Sequence, residues 1–199
     1  MKDRLRERIR RKPATRGASA AIQRRLLAED WWAAAFVVGL YRSTPGEVGT
    51  EELWADLAAR GARVAAPMRR GAQYAWGWVE PGARWKTGAH GIAEPAGAAG
   101  AAPGELRLVV VPGLAFDARG GRLGRGGGHF DRLLAGVAGL RVGLCAESQL
   151  VAAVPMEAHD APMDVVVTEK RVIYAPTAAA KLERLAAGGA AAGEEKRGG

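Results

Sequence analysis

The run ELRLVVVP, from Glu105 to Pro112, constrains the fold more than any other stretch of the chain. Successive residues of a strand point to opposite faces of its sheet, so a strand apolar at nearly every position needs cover on both sides. That places it centrally in a largely parallel sheet. Upstream, AFVVGLY reads as a strand, TEELWADLAARG as a helix with Thr50 as N-cap and Gly61 as its stop, and ARVAAPM as a second strand. Strand, helix and strand in that order make a βαβ unit. Downstream, HFDRLLAGVAGL has helical spacing, RVGLCA is a further strand, and DVVVTE is expected to be the last.

The two ends of the chain differ from this body. KDRLRERIRRK, stopped by Pro13, predicts a short helix that docks through Leu5 and Ile9 and carries Lys2 and Arg6 on one face. Ser19 is expected to cap a second helix reaching Glu29. Between Arg69 and Gly104 the pattern weakens into short strands and loops, with Tyr74, Trp76, Trp78 and Trp85 forming a small accessory core. Residues 1–185 read as one domain and residues 186–199 as a disordered tail.

Charge is concentrated rather than spread. Residues 1–25 hold ten Lys/Arg and two acids, while the rest of the chain holds 19 of each, so the net charge of +8 belongs to the first segment. A neutral body argues against a general nucleic-acid surface, although a basic arm alone can attract polyanions. The longest apolar run, Trp31 to Tyr41, is far short of the roughly 20 residues that span a membrane. One cysteine, Cys145, allows no internal disulfide, and its apolar strand makes it a packing residue rather than a nucleophile. No membrane, no nucleic acid and a cytoplasmic location are the expectations.

The chemistry is expected between the strongest strand and the helix after it, in VPGLAFDARGGRLGRGGGHFDR (Val111 to Arg132). In open α/β sheets, ligands sit beyond the carboxyl ends of strands, where backbone N–H groups can meet an anion. Gly124, Gly126, Gly127 and Gly128 let the backbone approach phosphate oxygens, and Arg122 and Arg125 can add charged hydrogen bonds. Neither G-x-x-x-x-G-K-[ST] nor G-x-G-x-x-G is present, so the two common nucleotide folds lose ground. His159 beside Asp160 reads as loop structure.

The string PGLAFD, then RLGRGGG, an aromatic position and Asp131-Arg132 resembles the signature of the 5-formyltetrahydrofolate cyclo-ligase family. K-D-R-L-R at Lys2 to Arg6, PGEVGTEEL at Pro45 to Leu53, HGIAEP at His90 to Pro95 and the run Val154 to Glu169 follow the family pattern in the same order. The resemblance implies a three-layer α/β fold, a mostly parallel, Rossmann-like sheet with helices on both faces of the CoA-transferase-like kind. It implies ATP- and Mg2+-dependent cyclisation of 5-formyltetrahydrofolate to 5,10-methenyltetrahydrofolate by a monomer. It further implies that ATP is held by Lys2, Arg6, Arg122, Leu123, Gly124, Arg125, Gly126, Gly127, Gly128, His129 and Phe130. Folate is then met by Arg42, Glu47, Arg125, Gly128 and His129, metal by Asp131 and Asp164, and the reaction is carried by Arg125 and Lys2. Two departures stand out: the loop ends in His129 and Phe130 where the family usually has two tyrosines, and Gly127 replaces a lysine of some relatives. A relative with a shifted substrate or with binding but no turnover is the competing expectation, and a basic-arm nucleic-acid module the weaker one.

Overall fold

A computed structural model describes residues 1–10, 13–88 and 91–195. Helices α1 (Lys2–Arg10), α2 (Arg16–Leu27) and α3 (Asp30–Ala33) lead into β1 (Val37–Gly39). After α4 (Glu51–Ala59), β2 (Arg63–Arg70) completes the strand, helix, strand unit, and β3 (Gln73–Val79) folds back along it. Short strands β4 (Trp85–Thr87), β5 (Ala93–Pro95) and β6 (Gly100–Ala101) precede β7 (Leu108–Pro112), the apolar run. Next come β8 (Ala115–Phe116), β9 (Arg122–Leu123), α5 (His129–Leu133) and β10 (Leu140–Leu144). The chain then forms β11 (Val165–Val167), β12 (Val172–Tyr174) and α6 (Ala178–Glu195).

Eight strands make one sheet in the order β12-β11-β10-β7-β1-β2-β3-β6. The five from β11 to β2 run parallel, and antiparallel β12 and β3 flank them. β7 lies inside, as its sequence requires. Leu108 and Val110 join Val38, Leu140 and Val142 on one face, under Ile22 and Leu26 of α2, Leu53 and Leu57 of α4 and Leu185 of α6. Val109 and Val111 enter the other face with Trp76, Phe116, Leu133 and Leu134. Each such side chain contributes roughly 1.5–3 kcal/mol by leaving water. The three layers are unequal: α2, α3, α4 and α6 cover the first face, and α5 with the connecting loops covers the second.

Several local expectations are corrected. Thr15, not Ser19, caps α2 by accepting from the Ala18 amide at 3.2 Å, while buried Ser19 accepts from Gly49 N at 3.1 Å. Thr50 precedes α4, yet its hydroxyl donates to the Tyr41 carbonyl (2.9 Å) rather than capping the helix, because that carbonyl is buried with it. The segment read as loose after Arg69 yields β3, a full member of the sheet pairing along β2 from Val79 to Gln73. The helix after the glycine loop lasts only five residues, and the chain turns at Gly136 with φ +79°. β12 was too short to stand out, and follows β11 as a hairpin partner. α6 spans Ala178–Glu195, where alanines outnumber glycines. Among the described residues no helix is long and apolar enough to cross a membrane.

Candidate functional site

A cavity of about 520 Å³ opens at the carboxyl ends of β1 and β7. From β1 the chain builds outward through β2 and β3, then returns to lay β7 on the other side of β1, so the cavity sits at the reversal point of the strand order. Tyr41, Arg42, Thr44 and Glu47 enter from the segment after β1, Pro112 and Gly113 from the end of β7, and residues 122–131 from the glycine-rich loop. Lys2, Asp3 and Arg6 of α1 and Glu157, His159 and Asp160 of the loop before β11 complete the wall.

α1 reaches the cavity because its apolar side is docked. Ile9 is buried with Ala115, Leu123 and Val154, and Leu5 packs beside them. The opposite side then faces the loop: Arg6 Nε donates to the Gly124 carbonyl at 3.0 Å and Nη1 pairs with Asp3 at 2.5 Å. Lys2 Nζ lies 2.6 Å from Asp160 and 3.0 Å from Glu157. Burial disfavours the Lys2 charge, but hydrogen bonds to Asp160 and Glu157 outweigh it and hold the ammonium above its usual range. Burial likewise opposes the Asp160 carboxylate, and Lys2 with the Glu157 amide brings it below its usual range. The sequence-based reading of Asp160 as mere loop structure missed this pairing.

The glycine-rich loop is shaped by two positive φ angles, +108° at Gly126 and +63° at Gly128, which side-chain-bearing residues rarely adopt. Gly128 is the N-cap of α5, too short a helix for a strong dipole, so the groups this loop offers to an anion are its amides and guanidinium groups. Arg122 is buried and paired with Asp131 at 2.5 Å. Arg125 reaches across to the segment after β1, 3.2 Å from Thr44 Oγ1 and 3.2 Å from Glu47. Glu47 is held in turn by the Thr44 amide at 2.8 Å.

His129 and Phe130 take the places of the expected tyrosines, but phenols line the cavity from other elements. Tyr74 of β3 meets the His129 ring at 5.1 Å, and Tyr41 meets Phe130 edge-on at 6.5 Å while donating to the Val48 carbonyl at 2.9 Å. Burial, followed by Glu47, pushes the Tyr41 phenol well up; burial and Glu94 push Tyr74 the same way, so both keep their protons. Cys145 is buried with its thiol pushed up by burial, as a packing residue should be. His90 of the HGIAEP run lies outside the described residues.

The two acids expected at a metal do not meet. Asp131 lines the cavity, with one oxygen on Arg122 and the Ala161 amide. Asp164 opens β11 at the amino-terminal rim of the parallel strands and is no part of the cavity wall. Its oxygens are taken by Lys181, Thr177 and the Arg141 amide, all at 2.8 Å. Among the described residues no cluster of three or more His, Cys, Asp or Glu can cage a metal. This donor set does not fit an ion held between Asp131 and Asp164. It does fit a hard cation that arrives with phosphates and keeps its waters, for which a single nearby carboxylate suffices.

Of the cavity's five Lys/Arg side chains, four are matched with its five acids: Lys2 with Asp160 and Glu157, Arg6 with Asp3, Arg122 with Asp131, Arg125 with Glu47. Arg42 is the exception. Its guanidinium lies 3.9 Å from the Trp85 ring centre and 5.6 Å from that of Trp54.

The sequence profile of the 5-formyltetrahydrofolate cyclo-ligase family matches residues 1–169. The 5-formyltetrahydrofolate cyclo-ligase of Mycolicibacterium smegmatis is 34% identical over 145 residues, covering 68% of this chain and 74% of that protein. The solved 5,10-methenyltetrahydrofolate synthetase of Aquifex aeolicus superposes with a TM-score of 0.79 at 32% identity, over 88% of this chain and 93% of its own. The Mycoplasma pneumoniae 5,10-methenyltetrahydrofolate synthetase, at 17% identity, shares the fold with a TM-score of 0.67 over 84% of this chain and 98% of its own. A match running from α1 through β11, on a sheet of the same architecture, makes this chain a member of the 5-formyltetrahydrofolate cyclo-ligase family.

Proposed function

We propose that the cavity at the β1 and β7 rim closes 5-formyltetrahydrofolate to 5,10-methenyltetrahydrofolate at the expense of ATP, with the triphosphate along the glycine-rich loop and the pterin against Glu47. The formyl oxygen attacks the γ-phosphorus, ADP leaves, and the N5 formamide becomes an iminium phosphate. N10 then adds to the activated carbon, loses its proton, and phosphate departs. Without phosphorylation the amide-like oxygen would be a very poor leaving group.

The residues have mainly to align and neutralise, because phosphoryl transfer needs in-line geometry and charge stabilisation more than covalent help. Arg125 is proposed to leave Glu47 for the transferring phosphoryl group, and Lys2 and Arg6 to turn from Asp160 and Asp3 to the other phosphates. Asp131 would be the carboxylate nearest a magnesium ion that came with the phosphates, and such an ion would supply neutralisation of phosphate charge. Glu47, released by Arg125, accepts from the pterin. The observation that carries this reading is the Arg125–Glu47 contact, because it joins the phosphate-side loop to the folate-side segment across one cavity.

Mixing the protein with 5-formyltetrahydrofolate and MgATP tests it: methenyl absorbance should rise with stoichiometric ADP and phosphate. No methenyl product with either compound still bound would favour the binding-only relative that His129 and Phe130 suggest.

A further inference from the structure

We propose that Arg42, held by Trp85 and Trp54, is the site that recognises the carboxylate end of the folate substrate. The proposal rests on the function assigned above and adds to it the group that Arg42 reads. Every other Lys or Arg side chain of the cavity already faces an acid, whereas Arg42 has neither an ion pair nor a hydrogen bond among the described residues.

What Arg42 does have is a support. Trp54 Nε1 donates to the carbonyl of Tyr41 at 3.2 Å and so fixes the backbone directly before Arg42. The Trp54 ring stands edge-on to Trp85, with ring centres 5.4 Å apart, and Trp85 lies under the guanidinium at 3.9 Å. Trp85 is carried by β4, whose partner β5 is tied to the main sheet through Glu94, accepting from the Arg69 amide at 3.0 Å. Stacking uses the face of a guanidinium and leaves its edge donors available. A planar fork with open N–H groups, fixed at the rim of a cavity, suits a planar carboxylate taken through two parallel hydrogen bonds.

Phosphate is the other anion in the reaction, but the glycine loop and four other cations are grouped for it on different elements. A tetrahydrofolate has its carboxylates only on the glutamyl end, so that end is the anion left for Arg42. Trp85 acts through Arg42 and is a positioning residue.

Calorimetric titration with 5-formyltetrahydrofolate and with an analogue in which a neutral primary amide replaces the glutamyl group, 5-formyltetrahydropteroyl amide, separates the possibilities. Arg42→Ala should weaken the glutamyl ligand about tenfold or more while the analogue's affinity stays near that of the parent protein. Arg42→Lys, which keeps the charge and loses the fork, should recover only part of the loss. Trp85→Ala should cost about threefold for the glutamyl ligand alone, and Trp85→Phe should restore it. Equal losses for both ligands, no loss, or a loss confined to ATP would overturn the assignment of Arg42. If the parent protein neither binds nor turns over 5-formyltetrahydrofolate, the functional reading falls and this proposal with it; turnover with an indifferent Arg42→Ala sinks the proposal alone.

Discussion

Arg125 is poised rather than fixed. Its side chain is 56% exposed, and an ion pair of that exposure contributes about 0–1 kcal/mol, so its contact with Glu47 can be exchanged at little cost. A preorganised cation at a transferring phosphoryl group contributes far more. Arg125→Ala should therefore lose about 2–4 kcal/mol of transition-state stabilisation in kcat/KM while Tm hardly moves. Unchanged turnover would remove Arg125 from the chemistry. Lys2 and Asp160 offer a second test at this scale, through pH. Asp160 is depressed below its ordinary 3.8, so its share of the stability is present above that value and lost as pH falls through the lower folded value. Lys2 is raised above 10.5, so its share is present below 10.5 and lost as pH rises through the higher folded value. Between those limits, Asp160→Asn should be less stable than the parent protein by a constant amount, and denaturant titrations should show the gap closing in acid. A gap independent of pH would mean that the pair contributes nothing.

Helix α1 does two things that a deletion would confuse. Ile9 completes a small core with Ala115, Leu123 and Val154, while Lys2 and Arg6 present their charges to the cavity. Removing residues 1–12 takes away both, so a loss of ATP affinity would not tell docking from recognition. Lys2→Ala with Arg6→Ala keeps the docking residues. It should weaken ATP binding about tenfold or more at constant salt, because charged hydrogen bonds to phosphate are removed, while Tm falls only by the share of the Lys2–Asp160 pair, which Asp160→Asn measures separately. Survival of ATP affinity would refute the assignment at the amino terminus. This element also marks what a sequence can disclose. Leu5 and Ile9 lie four apart, so the docked side of α1 and the shared face of Lys2 and Arg6 are local facts written in the spacing. The partner of Lys2 lies 158 residues away, and nothing local to Asp160 announces it. The same holds for the phenols: the resemblance implies tyrosines where this loop has His129 and Phe130, but only the pairing of β3 along β2 brings Tyr74 to His129. The Arg42 stack depends on β4, in the stretch where hydrophobic periodicity failed.

Across the whole molecule, the parallel strands separate two kinds of carboxylate. At their carboxyl ends, acids such as Glu47 and Asp160 hold cations that the proposed function passes to phosphates, and the pairs are arranged around open space. At the amino-terminal rim, Asp164 is 3% exposed at its side chain and gathers the Arg141 amide of β10 with Thr177 and Lys181 near the start of α6. It ties the sheet to the helix that covers one face. The family resemblance assigned Asp131 and Asp164 the same role, and the geometry separates them, since only Asp131 lines the cavity. Removing the Asp164 charge leaves Lys181 without its carboxylate, which for a buried pair costs about 3 kcal/mol. In a chain of this size, that is a fall in Tm of about 10 °C. Asp164→Asn should accordingly unfold earlier, yet at a temperature where it is fully folded its dependence of rate on Mg2+ concentration should follow that of the parent protein. Asp131→Asn also unpairs buried Arg122 and should lower Tm too, but in the assay of folded protein it should shift the Mg2+ requirement, because its carboxylate is the one that lines the cavity. Thermal melts and Mg2+ titrations of both variants decide the matter: a shifted Mg2+ requirement in Asp164→Asn with normal stability would return that residue to the metal and undo the division between the two rims.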